Sequence, residues 1–157
     1  MKILLISVGT MREAPLKELA ERYSSRIPHY IPFEAVEVPD AASSKNSTPQ
    51  ARKAKEGEAI LSKIAPGDFV VLLDERGKQM TSRELASFID RKAATLSRNI
   101  VFVIGGPYGF SQEVYNRANL LLGISKMTFT HEMARVLTLE QIYRAMTILR
   151  GEPYHHD

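Results

Sequence analysis

Two short segments of this chain consist only of large apolar residues: Phe69-Val70-Val71-Leu72-Leu73 and Ile100-Val101-Phe102-Val103-Ile104. A strand that is apolar on both faces must be covered on both faces. Central strands of a parallel sheet, with helices above and below, meet that condition. Turn formers flank the runs, Pro66-Gly67-Asp68 before the first and Gly105-Gly106 after the second. Both runs are therefore expected to be central strands. The rest of the chain has to supply the helices that cover them.

Strand-like and helix-like segments do alternate from end to end. Lys2–Val8 is apolar and β-rich, and Gly9-Thr10 closes it. Ala14–Ile27 carries Leu16, Leu19, Ala20, Tyr23 and Ile27 at helical spacing, and Pro28 ends it. Phe33–Val38, interrupted by Glu34 and Glu37, reads as a half-buried strand near a sheet edge. Residues 39–48 read as a polar, flexible loop, and a helix starts near Pro49. Thr81-Ser82-Arg83-Glu84 is a capping box opening a helix that reaches about Ser97. A short helix over Ser111–Ala118, a strand over Leu120–Ile124 and a long helix over His131–Arg150 complete the order. The alternation predicts an α/β fold, a mostly parallel sheet with helices on both faces. With no repeat or linker, residues 1–157 are expected to form one domain.

Composition removes several function classes. The chain has no cysteine, which excludes a disulfide framework, a thiolate metal site and a cysteine nucleophile. No His, Asp or Glu spacing suggests a metal site. The apolar start is too short for a signal peptide, and no segment approaches the roughly 20 apolar residues of a spanning helix, so a cytoplasmic location is expected. A net charge of +3 permits a polyanionic partner without requiring one.

The long last helix is apolar around more than one face, from Met133 through Leu137 and Tyr143 to Leu149. That pattern fits burial on several sides. A second copy of the chain is the expected cover for the surplus apolar face.

Ligands of parallel sheets bind beyond the carboxyl ends of the strands. Three such ends stand out: Leu73 to Lys78, Gly105 to Gly109, and Ile124 to Phe129. The glycine cluster allows either a close approach to a ligand or a tight turn into the next helix. Asp74 and Glu75 suit acid–base work, or pairing with Arg76 or Lys78. His131 is a candidate catalytic group, and equally a residue of a helix's first turn. The tail Tyr154-His155-His156-Asp157 reads as a disordered end, yet its aromatic and imidazole groups near Arg144 and Arg150 suit single-stranded RNA.

Taken in order and spacing, these motifs resemble the RlmH family of ribosomal RNA large-subunit methyltransferases, within the SPOUT superfamily. The resemblance covers the whole chain. It rests on Val8-Gly9-Thr10, Leu73-Asp74 with Gly77-Lys78, Ile104-Gly105-Gly106-Pro107 with Gly109, and Ser125-Lys126-Met127-Thr128. His131, Arg135, Ile142-Tyr143-Arg144-Ala145 and the closing Pro153-Tyr154-His155 complete it.

The resemblance implies a C-terminal trefoil knot, a homodimer, and S-adenosylmethionine as methyl donor. It implies methylation at N3 of a pseudouridine in 23S rRNA of the assembled ribosome. Leu73, Gly105, Ile124, Ser125, Lys126, Met127, Thr128 and Phe129 would bind the cofactor. Arg144, Tyr154 and His155 would face the rRNA. The chemistry then asks for a base or water to take the imino proton, with His155 and His131 as candidates, and for Arg135 and Arg144 to position phosphate or carboxylate through the two-point contacts of a guanidinium. The roles of Tyr108 and Phe110 stay open. Two other readings are a non-catalytic ribosome- or RNA-binding module of the same fold and a doubly wound nucleotide-binding enzyme. The uninterrupted cofactor loops argue against the first, and the missing G-x-G-x-x-G pattern against the second.

Overall fold

The computed structural model describes residues 1–41, 48–95 and 98–157. Five strands form one sheet: β1 (Ile3–Val8), β2 (Phe33–Val38), β3 (Phe69–Gln79), β4 (Ile100–Ile104) and β5 (Leu120–Gly123). Their spatial order is β2-β1-β4-β3-β5 and every pairing is parallel. The two all-apolar runs are neighbours at the centre, with Phe69 to Leu72 opposite Ile100 to Val103. β2 is an edge strand, as Glu34 and Glu37 within it predict.

Side chains of a strand alternate between faces, and here the alternation divides the core in two. Ile3, Leu5, Val71, Ile100, Phe102 and Ile104 meet helices α1 (Ala14–Arg26), α3 (Ser82–Thr95) and α5 (His131–Leu149). Leu4, Ile6, Val8, Val70, Leu72, Val101 and Val103 meet α2 (Pro49–Leu61) and α4 (Gln112–Arg117). The expected α/β architecture with helices on both faces is thus observed. Helix starts are satisfied locally, with the hydroxyls of Thr48, Ser111 and Thr130 each accepting an amide of the first turn. The Thr81 hydroxyl does the same for Glu84. Most of the loop expected over 39–48, including Lys45, lies outside the described residues.

Two expectations change. The strand that begins at Phe69 does not end at Leu73 but continues to Gln79. It leaves its ladder with β5 after Leu73 and rejoins it at Lys78, both residues standing opposite Leu122. Between them Asp74 to Arg76 bulge from the ladder at the sheet's carboxyl edge, while Gly77 stays against β5. Gly77 makes that possible: a Cβ there would lie 2.6 Å from the backbone carbon of Leu121 and from the Leu122 nitrogen.

The second change concerns α5. Its apolar residues are spent mostly inside the chain, because the helix lies against α1 and α3 as well as the sheet. Only Leu149 of its large apolar residues is exposed. The apolar surface left open lies instead at Ile124, Met127 and Phe129, in the connection from β5 to α5.

Replacing Gly77 with Ala should lower stability by about 1–3 kcal/mol through overpacking against fixed backbone. Gly67→Ala, whose added carbon meets only the flexible Arg98 side chain, should cost less. Urea unfolding of both variants checks the ranking.

Candidate active site

A cavity of about 920 Å³ opens beyond the carboxyl ends of β3 and β4. Its walls are Leu73 to Arg76, Ile104 to Phe110, Tyr115, Thr128 to Glu132 with Ala134, Leu16 of α1 and Glu13 just before it. A smaller pocket of about 120 Å³ adjoins it, lined by Ile124, Ser125, Met127, Thr128 and Phe129. A third space, a slot of about 290 Å³, lies between β3, β5, α3 and α5 and takes in Ile124. Leu73 borders all three. Leu73, Gly105, Ile124, Ser125, Met127, Thr128 and Phe129 are therefore gathered around one point, although they come from three chain segments. Lys126 belongs to the same loop but lines none of the three spaces.

The glycine loop owes its composition to what stands behind it. A Cβ on Gly105 would meet the Phe110 ring at 2.9 Å, and one on Gly106 would meet Glu56 Oε1 at 2.8 Å. Phe110 is a core residue of the α2–α4 face, edge-on to Tyr115. Tyr108 is half exposed and lies beneath the Arg52 guanidinium. Glu56 reads in sequence as one charge on a solvated helix, yet it is 5% exposed. Gly106 and Ala41, from other segments, lie against it, which helical periodicity does not report. Its carboxylate accepts the Ala41 amide at 3.3 Å.

The cavity's charges are mostly paired. Asp74 accepts from Arg76 at 3.2 Å and from the Tyr115 hydroxyl at 2.5 Å. Burial raises its carboxyl, but the Arg76 and Tyr115 hydrogen bonds outweigh that and hold it below the usual aspartate range. The Thr128 hydroxyl donates to Glu75, tying the β5–α5 connection to the loop of β3. Glu132 accepts the amides of Arg12 and Glu13 at 2.9 and 3.1 Å, fastening the start of α5 to the start of α1. His131, in the first turn of α5, lines the cavity. No group of three or more His, Cys, Asp or Glu among the described residues is placed to hold a metal ion.

The other expected site residues lie elsewhere. Arg144 is thirteen residues along α5 from His131, about 20 Å at helical rise. Its guanidinium donates to Glu140 at 2.9 and 2.6 Å and stacks on the Tyr154 ring. The Tyr154 hydroxyl reaches Glu140 at 3.1 Å, and its ring packs against Tyr143 with centroids 4.8 Å apart. His155 Nδ1 is 3.2 Å from Arg144. A guanidinium has only donors, so Nδ1 accepts and the ring proton sits on Nε2. Asp157 pairs with Arg83. The tail is thus a docked segment rather than the disordered end that its composition suggests. Glu140, which no motif singled out, is its anchor.

Arg135 also departs from expectation. It is 8% exposed, with one arm on Glu37 at 2.6 Å and the other on the Gly9 carbonyl at 2.9 Å. It joins α5 to the ends of β1 and β2. Both contacts are internal, so its role in this structure is to hold the fold rather than a phosphate.

A parallel α/β sheet whose strand ends and returning loop wall such a cavity defines a cofactor- or nucleotide-binding protein. Comparison with known proteins narrows this. The family pattern described as "Predicted SPOUT methyltransferase" matches residues 1–155. The chain is 48% identical over its full length to ribosomal RNA large subunit methyltransferase H of Parabacteroides distasonis, covering 100% of that protein. It is 49% identical to the protein of the same name from Christiangramia forsetii, with 99% of each covered. The fold is also similar to a solved chain described as "Probable Methyltransferase" from Bordetella pertussis Tohama I. There the TM-score is 0.56 at 15% identity, covering 92% of this chain and 93% of that one. The chain belongs to the SPOUT methyltransferases, in the family of ribosomal RNA large subunit methyltransferase H, as its motifs led one to expect.

Burial pushes the Glu56 carboxyl above its ordinary value of 4.5; the Ala41 amide lowers it in part and nearby Asp40 adds to the rise. The folded chain thus holds this proton more tightly than the unfolded chain. Stability tied to Glu56 is full below 4.5 and lost as pH rises through the raised value. Glu56→Gln should therefore gain stability relative to the parent between about pH 4 and pH 7.5, and thermal unfolding at both values measures it.

Proposed function

We propose that this chain is an S-adenosylmethionine-dependent methyltransferase acting on 23S rRNA in the assembled ribosome, at N3 of a pseudouridine. One observation carries the reading: Leu73, Gly105 and the 124–129 loop converge at the sheet's carboxyl edge, in a chain of this family. The spaces there suit the cofactor's two chemistries. The slot beside Leu73 has no charged side chain among its lining residues, as a purine requires. The larger cavity carries Asp74, Glu75 and Arg76, as an amino-acid end requires. Leu73, Gly105 and residues 124–129 would hold the group, which supplies a methyl carbon on a sulfonium that is already electrophilic. Aligning the acceptor nitrogen with that carbon then provides much of the acceleration.

The imino nitrogen must lose its proton before it attacks. His131 is the candidate acceptor, because it lines the cavity and its ring makes no hydrogen bond among the described residues. His155 is less suited in this arrangement, since Nδ1 faces Arg144 and Nε2, which carries the proton, faces Asp157 at 4.0 Å. Arg144, Tyr154 and His155 form the rRNA side. At about 20 Å along α5 they cannot serve the same chain's cavity without leaving their dock. The proposal therefore includes a homodimer in which each tail serves the partner's cavity, with Ile124, Met127 and Phe129 as apolar surface for the contact. It also includes the family's trefoil knot and a cytoplasmic location. No helix among the described residues is long and apolar enough to cross a membrane.

Calorimetry should show binding of S-adenosylmethionine and none of NAD; the reverse result defeats the reading. His131→Ala should lower ribosome methylation by at least about 100-fold, the usual lower bound for a lost acid–base group. A chain lacking residues 154–157 should lose methylation while keeping its cofactor affinity. Mixed dimers of these two inactive chains should regain methylation, because one composite site is then complete. Mixtures that stay inactive would place tail and cavity in the same protomer.

A further inference from the structure

The turn that closes the glycine loop places one aromatic residue at the cavity wall. Gly109 donates its amide to the Gly106 carbonyl at 3.1 Å, which closes a four-residue turn. Pro107 presets the second position, and Gly109 takes a φ of +81° at the fourth. Tyr108 holds the third position, at the tip. It is 47% exposed and lines the cavity. That exposure exceeds what a residue's backbone supplies, so the ring itself is open. Its one polar or ring partner among the described residues is the Arg52 guanidinium, 5.6 Å above the ring centroid. Arg52 is committed there. Its Nε is buried without a hydrogen-bond partner among the described residues, and Glu56, one turn further along α2, answers its charge. A lone exposed aromatic on a loose loop needs no explanation. This one stands on a constrained turn, braced on one face, at the wall of a ligand cavity.

A ring with one face occupied offers the other. Two kinds of group suit the face of a phenol: a cation or a second flat ring. Arg52 already sets a cation on one face, and a second cation opposite would be repelled by it, which disfavours the cofactor's sulfonium. A uracil-type base has two carbonyls that draw electrons from its ring, so it stacks well on an electron-rich phenol. The purine of the cofactor has the uncharged slot beside Leu73. The acceptor base has to reach the large cavity, because His131, the candidate for its imino proton, lines that cavity too. Resting on the methyltransferase reading above, we infer that the Tyr108 ring, braced by Arg52, is the platform on which the target base of the RNA stacks. Tyr108 touches the substrate, and Arg52 is a positioning residue that acts through it. Stacking fixes the plane of the base and leaves its identity to be read at its edges.

The test uses the full-length protein, S-adenosylmethionine, and ribosomes that lack the N3 methyl group. Tyr108→Ala should lower kcat/KM for ribosomes roughly ten- to hundredfold, the loss of one stacked base. Its affinity for S-adenosylmethionine, measured by calorimetry, should stay within about twofold of the parent's, since the cofactor does not touch the ring. Tyr108→Phe keeps the ring and should stay within about threefold of the parent's rate. Tyr108→Leu, apolar but not flat, should lose as much as the alanine variant and replaces it if that protein does not fold. Arg52→Met should cost about threefold, the size of one exposed cation–ring contact, and nothing further once Tyr108 is already leucine. Parent-like methylation by Tyr108→Ala or Tyr108→Leu overturns the proposal. So does an equal loss of cofactor affinity, which would assign the ring to S-adenosylmethionine, or an equal loss in Tyr108→Phe, which would assign the role to the hydroxyl. Additive losses from Arg52 and Tyr108 overturn the bracing. If the parent binds S-adenosylmethionine but transfers no methyl group to ribosomes, the ribosome reading fails instead, a result distinct from these.

Discussion

The break in the ladder between β3 and β5 is the constraint on which the rest of the site depends. Leu73 and Lys78 both face Leu122, so the segment between them must bulge from the ladder. The backbones at Gly77 and Leu121–Leu122 come so close that no side chain fits between them. That contact projects Asp74 to Arg76 over the carboxyl edge of the sheet. There Asp74 meets Arg76 and Tyr115, and Glu75 receives Thr128. Leu73, the last residue before the break, becomes the common wall of three adjoining spaces.

The helices secure that edge from two sides. Glu132 fastens the start of α5 to the start of α1, and Arg135 fastens the next turn to the ends of β1 and β2. On the opposite face, Phe110 and Glu56 stand behind the glycine loop and hold its path. Glycines 105 and 106 therefore answer two demands at once. They leave the front clear, and they give room to the groups behind. The far end of α5 does separate work, since Glu140 gathers Arg144 and Tyr154 and so docks the tail.

Much of the fold was legible because its signals are local and periodic. Continuous apolar runs mark strands covered twice, and the observed register pairs those two runs side by side. The capping box at Thr81 marks the start of α3. The candidate cofactor residues were legible as strand ends, but only a family resemblance selected Leu73 among them. Glu56 and Glu140 were missed because each reads as an ordinary charge on a helix. Glu56 is covered by Ala41 and Gly106 from other segments, and Glu140 becomes an anchor only when the tail folds back and brings Tyr154 to it. Arg135 is not legible as a structural residue because its partners Glu37 and Gly9 lie 98 and 126 residues away.

By itself the sequence determined the element order, the parallel α/β class, the strand ends that carry the site and the family. These follow from patterns that neighbouring residues impose on one another. Tertiary structure decided which polar groups are free and which are spent. It turned the apolar α5 inward, moved the open apolar surface to the 124–129 loop, docked the tail, and separated Arg144 from His131 by the length of a helix. It also left the Thr138 hydroxyl buried with no hydrogen-bond partner among the described residues. Hydrogen-bond partners and burial are set by packing between distant segments, and a linear pattern holds no record of that.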